Sequence, residues 1–215
     1  MSKEKKVTEI LKRLKKMYAN PVTALSFSNP LELLVATILS AQTTDKLVNT
    51  LTPALFTQYR TARDYANAPL AKLQSYVKKV NFFGNKSKNI QASARIIDEK
   101  YGGEVPQTME ELDALPGVAR KTANVVLWNG FGKNEGVCVD THVIRLTKKL
   151  GLTTHTDPVK IEKDLMNIIP RAEWGSFPHL LILYGREFCT ARPHLCDKCP
   201  LNDLYEIHKT RLKLD

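Results

Sequence analysis

A lysine and an aspartate are the residues of this sequence best suited to covalent chemistry. Lys121 follows the sequence LPGVAR at 115–120, and Asp140 lies in the sequence VDTH at 139–142. A helix N-terminus disfavours a nearby cation and partial burial adds to the effect, so both favour a neutral, nucleophilic amine at Lys121. An aspartate can act as the proton partner of such an amine. Each residue alone is equally typical of an ordinary role, a solvated surface lysine and the N-cap of a helix starting at Thr141.

The segment before the lysine predicts a tight turn that opens into a helix. Pro116, Gly117, Val118 and Ala119 lie between two stretches of helical pattern, and Arg120 follows them. The backbone N–H groups of such a turn can bind a phosphate oxygen. Because a phosphate contact carries no base information, the turn would hold DNA without reading its sequence. An ordinary helix–helix turn fits the same local pattern.

The composition favours a polyanionic partner. The chain has 215 residues with 32 Lys and Arg against 22 Asp and Glu, a formal net charge of +10. Such an excess is typical of proteins that bind nucleic acid, although a basic protein without such a partner fits the charge as well. No apolar run is long enough for a membrane span, and the N-terminus lacks the apolar core of a signal peptide. We therefore expect a cytoplasmic, nucleoid-associated protein with no membrane contact, and nothing indicates more than a monomer.

The spacing of apolar residues is helical along almost the whole chain. We predict an all-α fold, because no alternating run of strand type recurs. Asn29 is expected to cap a helix that begins at Pro30. The further predicted helices are 3–18, 43–57, 69–78, 87–100, a short one after Thr108, 118–131, 141–150, 157–168 and 173–188.

Three cysteines near the C-terminus predict a metal site. Cys189, Cys196 and Cys199 have the spacing Cys-x6-Cys-x2-Cys. Zinc and iron–sulfur sites normally use four ligands, so this set is one short. The remaining cysteine, Cys138, lies in an apolar stretch and is interpreted as a small buried side chain. A zinc protein built on these cysteines is one alternative.

Taken together, these segments resemble the endonuclease III family of DNA glycosylases, of the helix-hairpin-helix-GPD type. The resemblance rests on LSAQTTD at 39–45, LPGVARKTANVV at 115–126, VDTH at 139–142 and the C-terminal cysteines. It implies a two-lobed all-α fold, with a six-helix lobe at 22–135. A terminal lobe would combine 1–21 with 136–215, including a cysteine loop at 189–205, and double-stranded DNA would lie between the lobes.

The resemblance also implies an activity, that of a bifunctional glycosylase and AP lyase for oxidised pyrimidines in base excision repair. The damaged base would be flipped out, Lys121 would attack the sugar, and Asp140 would stabilise developing positive charge. Gln42 would fill the gap left by the flipped base, and Phe82 would be an apolar wedge or else a core aromatic. The DNA-contacting residues would be Gln42, Phe82, Pro116, Gly117, Val118, Ala119, Arg120 and His142. A mismatch thymine or uracil glycosylase and a non-catalytic helix-hairpin-helix DNA-binding protein are the alternatives.

Two positions depart from the family pattern. Ala119 stands where many members have glycine, which is harmless provided that its φ is negative. Tyr205 stands where the family pattern has its fourth cysteine, so the [4Fe–4S] cluster that the family implies lacks one ligand. Asp203, Tyr205 or His208 could replace that ligand, or the cluster could be absent. Loss of the cluster would weaken the C-terminal loop rather than the chemistry of Lys121.

Overall fold

The computed structural model describes residues 1–192 and 199–206. Within these ranges all regular structure is helical, which confirms the predicted fold class. In the same ranges, no helix has the length and apolar character needed to cross a membrane. The chain forms two compact units, a central unit of Thr23–Lys133 and a terminal unit that joins Met1–Val22 to Asn134–Asp215.

The described residues form eleven α-helices. These are α1 (Lys3–Met17), α2 (Pro30–Ser40), α3 (Asp45–Gln58), α4 (Ala62–Ala66), α5 (Leu70–Val77), α6 (Phe83–Tyr101), α7 (Met109–Asp113), α8 (Arg120–Phe131), α9 (Thr141–Lys149), α10 (Pro158–Ile168) and α11 (Ser176–Glu187). Seven of them lie in the central unit, one more than the resemblance implied. The additional helix is α4, a five-residue segment closed by its own capping box between Thr61 and Asp64.

The core of the central unit is built around α2. Asn29 caps this helix through a hydrogen bond from the Glu32 amide, and Pro30 takes the first position, as predicted. Every residue from Leu33 to Leu39 is buried, because α3, α6 and α8 all pack against α2. The packing of these helices therefore holds the C-terminal end of α2, next to Gln42, in place.

Helix α6 begins four residues earlier than its apolar pattern predicted. Its N-cap residue is Phe82, and its buried face runs through Lys86, Ile90, Ala94 and Ile97. The spacing of these four residues follows one helical face. Because the first buried residue of the helix is a lysine, the apolar pattern alone did not show where the helix begins.

The terminal unit has its own apolar core. Helix α1 packs against α10 and α11, with Val7, Ile10 and Leu14 fully buried. At its surface, Arg13 donates to both carboxylate oxygens of Asp203, at 2.6 and 3.0 Å. This ion pair connects α1 to the segment that follows Cys199.

Candidate functional site

The turn between α7 and α8 is held firmly against α6. Gly117 has φ +77°, a conformation that side-chain-bearing residues rarely adopt. A Cβ at this position would lie 2.7 Å from Nδ2 and 2.8 Å from Cβ of Asn89, so there is also no room for one. The Ser93 hydroxyl donates to the Pro116 carbonyl oxygen at 2.7 Å. The conformation of the turn is thus fixed by its glycine and by two side chains of α6.

The same turn leads directly into α8. Val118 is buried and anchors it, and its amide donates to the Leu115 carbonyl oxygen at 3.1 Å. Ala119 is the N-cap residue with φ −99°, so alanine fits here without strain, as expected. Since alanine has no side-chain acceptor, it leaves the first amides of α8 without a side-chain cap.

Lys121 lies in the first turn of α8 and its side chain is exposed. The partial burial expected from the sequence was therefore wrong. The physical reason is the face of the helix, because the buried side of α8 is formed by Ala123, Asn124, Val126 and Leu127.

Asp140 caps α9, which confirms the structural half of its predicted role. Its Oδ1 accepts from the Val143 amide at 2.8 Å, and its carbonyl oxygen accepts from the Ile144 amide at 2.9 Å. The side chain is half-buried. The cap holds the carboxylate in one orientation at the start of the helix.

His142 is the second residue of α9 and lies in a groove of the terminal unit with Arg145 and Arg186. Arg145 donates to its Nδ1 at 3.1 Å, so this nitrogen is an acceptor. Burial lowers the pKa of His142, and the nearby Arg145 and Arg186 lower it further, against an opposing effect of Asp140. Gly185 of α11 closes the packing, because a Cβ there would lie 2.6 Å from His142 Nδ1.

Gln42 and Phe82 share an unusual backbone conformation. They are the only non-glycine residues with positive φ in the described ranges, at 55° and 56°. Such a conformation costs free energy and recurs at functional sites. Gln42 is exposed, and Phe82 is 64% exposed, so the reading of Phe82 as a core aromatic was wrong. The loop keeps the ring at the surface because Phe82 precedes α6 and lies outside its buried face.

The structure shows a buried lysine that the sequence reading missed. Lys86 is 7% exposed, and its Nζ donates to the carbonyl oxygens of Leu39 at 2.8 Å and Ala41 at 2.5 Å, and to Thr43 Oγ1 at 3.2 Å. Burial lowers the pKa of Lys86. The ammonium group therefore donates to carbonyl oxygens at the C-terminal end of α2, just before Gln42.

A second contact joins the Gln42 loop to the Phe82 loop. Asn81 donates through Nδ2 to the Gln42 carbonyl oxygen at 2.6 Å, and its own amide donates to Thr43 Oγ1 at 3.3 Å. Together with Lys86, it fixes the two positive-φ residues within one hydrogen-bonded network. The only signal in the sequence was the helical spacing that places Lys86 on the buried face of α6.

The cysteine region is built differently from a four-thiolate site. Cys189 and Cys199 are buried and Cys138 is half-buried, whereas Cys196 lies outside the described residues, as does His208. Tyr205 is 1% exposed, and its hydroxyl lies 2.7 Å from the hydroxyl of Tyr184.

The described candidates for the fourth ligand, Asp203 and Tyr205, do not suit the family's cluster. Asp203 is engaged by Arg13, which lowers the pKa of that carboxyl. Burial raises the pKa of Tyr205, and its hydroxyl is already hydrogen-bonded to Tyr184. Across 1–192 and 199–206, no three His, Cys, Asp or Glu side chains are grouped so that they could hold a metal ion.

Comparison with known proteins places these features in a family. The model of the HhH-GPD superfamily of base excision DNA repair proteins matches residues 35–171. The chain is 52% identical to endonuclease III of Synechocystis over 203 residues, covering 94% of this chain and 93% of that protein. It is 44% identical to endonuclease III of Bacillus subtilis over 201 residues, covering 93% and 91%.

Solved structures agree with the sequence relatives. A non-covalent endonuclease III–DNA complex superimposes with a TM-score of 0.90 at 42% identity, covering 99% of this chain and all of that chain. A trapped covalent endonuclease III–DNA intermediate gives the same TM-score, identity and coverage. The chain belongs to the endonuclease III family.

Proposed function

We propose that this chain is a bifunctional DNA glycosylase and AP lyase that removes oxidised pyrimidines. The observation that carries the proposal is the turn at Gly117, fixed against α6, which presents an exposed lysine at the start of α8. A non-catalytic DNA-binding turn would use the same backbone but would leave Lys121 and Asp140 without a shared role. The solved covalent intermediate of a relative supports the enzymatic reading.

The proposed reaction begins with Lys121 as nucleophile. Its neutral amine attacks the sugar C1′, and the bond from C1′ to the base breaks, so the base leaves with the bonding electrons and takes up a proton. The sugar ring then opens to give a Schiff base between Lys121 Nζ and C1′. Loss of a proton from C2′ expels the 3′ phosphate by β-elimination, and hydrolysis of the imine releases the enzyme.

Asp140 is proposed to act through its charge and as a proton acceptor. The carboxylate stabilises the positive charge that develops on the sugar as the base departs. It then assists the proton transfers that open the ring. Its hydrogen bond from the Val143 amide supports this role by fixing the orientation of the carboxylate.

DNA binding is proposed to use the turn before α8 and the groove beside α9. The turn formed by Pro116, Gly117, Val118, Ala119 and Arg120 would bind a backbone phosphate, with the uncapped amides of α8 as donors. His142 would contribute from the basic groove beside Arg145 and Arg186. Such a protein would act as a monomer on the nucleoid.

Base flipping is proposed to use the two positive-φ residues. Phe82 would enter the base stack as a wedge, and Gln42 would fill the gap left by the extruded nucleotide. The exposure of both side chains supports this proposal, as does the network that fixes their backbones.

A trapping experiment tests the proposed chemistry. The protein is incubated with a duplex carrying one thymine glycol and then treated with borohydride, which reduces the imine to a stable protein–DNA adduct. We expect an adduct that disappears in Lys121→Ala and persists in Lys12→Ala, which removes an equal charge from an exposed position on α1.

A duplex with a preformed abasic site separates the outcomes. An adduct on the abasic duplex alone would support the lyase activity but not the removal of thymine glycol. Other bases would then be tested as substrates, starting with mismatched thymine and uracil. No adduct on either duplex would refute the enzymatic proposal and favour a DNA-binding protein.

A further inference from the structure

A pair of buried tyrosines stands where the family pattern has its fourth thiolate. Tyr205 follows the 3-10 turn Asn202–Leu204, and Tyr184 lies in α11. Their hydroxyls are 2.7 Å apart, and both rings are buried in the apolar core of the terminal unit. The contact therefore joins the segment after Cys199 to the body of the unit.

Two basic side chains lie next to the thiol of Cys189. Lys149 Nζ lies 3.3 Å from Cys189 Sγ and 4.9 Å from the centre of the Tyr205 ring. Arg145 donates to the Cys189 carbonyl oxygen and approaches its Sγ at 3.7 Å. The space next to Cys189 is thus filled by a protein ammonium group and an aromatic ring.

The two hydroxyls are paired with each other. Tyr184 is 0% exposed and Tyr205 is 1% exposed. The hydrogen bond between them gives each hydroxyl a protein partner without a metal. A phenolate ligand would require breaking this pair and losing a proton in an apolar environment.

We infer that this chain holds its C-terminal segment with the hydrogen-bonded Tyr184–Tyr205 pair and Lys149 against Cys189, and that it carries no iron–sulfur cluster. The pair supplies the connection that a cluster would otherwise make between α11 and the segment 199–206. This inference does not depend on the proposed enzymatic activity, and its tests measure metal content and stability.

Metal analysis of the whole protein is the first test. The protein is purified without oxygen from iron-supplemented cells, and iron, sulfide and zinc are measured together with the visible absorption spectrum. A family member with all four cysteines, produced in the same strain, controls for iron supply. We expect far less than one iron or zinc per chain and no visible absorption band of an iron–sulfur cluster. Stoichiometric iron with such a band, or stoichiometric zinc, would overturn the inference.

A double-mutant cycle tests the tyrosine pair itself. Tyr184→Phe and Tyr205→Phe each keep the ring but remove the hydrogen bond between the two hydroxyls, so each should lower Tm by about 2–4 °C. The double variant should lose less than the sum of the two, because both single variants remove the same hydrogen bond. An iron chelator should leave the Tm of the native chain unchanged. Additive losses, unchanged single variants, or a lower Tm with chelator would each contradict the inference.

Discussion

At the scale of single residues, the candidate site separates structural roles from chemical ones. Asp140 is the clearest case, because one oxygen caps α9 while the proposed catalytic role uses the charge of the carboxylate. Asparagine caps helices as well as aspartate does, but it carries no charge. Substitution by asparagine therefore removes the charge alone, whereas substitution by alanine removes both the charge and the cap.

Asp140→Asn should keep the fold and lose the activity. We expect its free energy of unfolding to stay within a few tenths of a kcal/mol of the native value, because the cap is kept. Base excision should slow by about 10²–10⁴-fold, the usual effect of removing a catalytic acid or base. Asp140→Ala should lose similar activity and also about 1 kcal/mol of stability. Single-turnover excision and chemical denaturation measure the two effects, and full activity in Asp140→Asn would refute the catalytic role.

His142 should make the protein less stable in mild acid. Burial, with Arg145 and Arg186, lowers its pKa below the ordinary value of 6.5, while Asp140 opposes this. The unfolded chain therefore takes up its proton at higher pH than the folded one. The contribution is fully present above about pH 6.5 and is lost as the pH falls from there through the folded-state pKa, with a limiting slope of about 1.4 kcal/mol per pH unit.

The pH effect is measured as a difference between two proteins. Denaturation of the native chain and of His142→Gln is followed from neutral to mildly acidic pH. The native-minus-variant difference should shrink as the pH falls, whereas a constant difference would show that His142 does not titrate as inferred.

At the scale of elements, the turn before α8 and the loops around α6 depend on a few fixed backbone contacts. Gly117 needs both its positive φ and the absence of a Cβ, while Gly132 at the other end of α8 needs only the positive φ. The two glycines are therefore a matched pair. Alanine substitutions at the two positions therefore separate the free-energy cost of the positive φ from the cost of the steric contact with Asn89.

Gly117→Ala should be far more damaging than Gly132→Ala. The second variant should cost about 1–2 kcal/mol, since a left-handed alanine is strained but meets nothing within 4 Å. Gly117→Ala should add about 1–3 kcal/mol for the overlap with Asn89 and should also weaken DNA binding. Calorimetry and fluorescence anisotropy measure these effects. Equal losses in both variants would show that the close contact with α6 is unimportant.

Lys86→Met should impair base excision more than cleavage at a preformed abasic site. Methionine keeps much of the buried stem but leaves the carbonyl oxygens of Leu39 and Ala41 without the Lys86 donor, at a cost of about 1–3 kcal/mol. If the network positions Gln42 and Phe82 for base flipping, a substrate with no base to flip should be less affected. Lys88→Met, at an exposed position of the same helix, is the control. Equal slowing on both substrates would reduce Lys86 to a purely structural role.

At the scale of the whole molecule, the features that could be predicted from the sequence are those formed by contiguous segments. The all-α fold, the turn at Gly117, and the cap at Asp140 were all predictable from local patterns. Lys86 was not, because its partners are backbone carbonyls distant in the chain and no side-chain pattern marks them. Helix α4 was too short to show periodicity.

The same limit applies to the cysteine region. Tyr205 was recognisable as a departure from the family spacing. Its partner Tyr184 was not, since only folding brings α11 to the C-terminal segment. The exposure of Lys121 was also mispredicted, because local sequence does not settle which face of α8 is covered.

The net charge of +10 predicts that DNA binding weakens steeply with salt, because each phosphate contact releases counterions. Arg186 lines the basic groove beside His142 and should account for one such contact. In Lys121→Ala, which should bind DNA without cleaving it, the logarithm of the binding constant is measured against the logarithm of salt concentration. Adding Arg186→Ala should reduce the slope by about 1, whereas adding Lys12→Ala, on α1, should leave it unchanged. An equal change from both would mean that binding follows total charge rather than a defined groove.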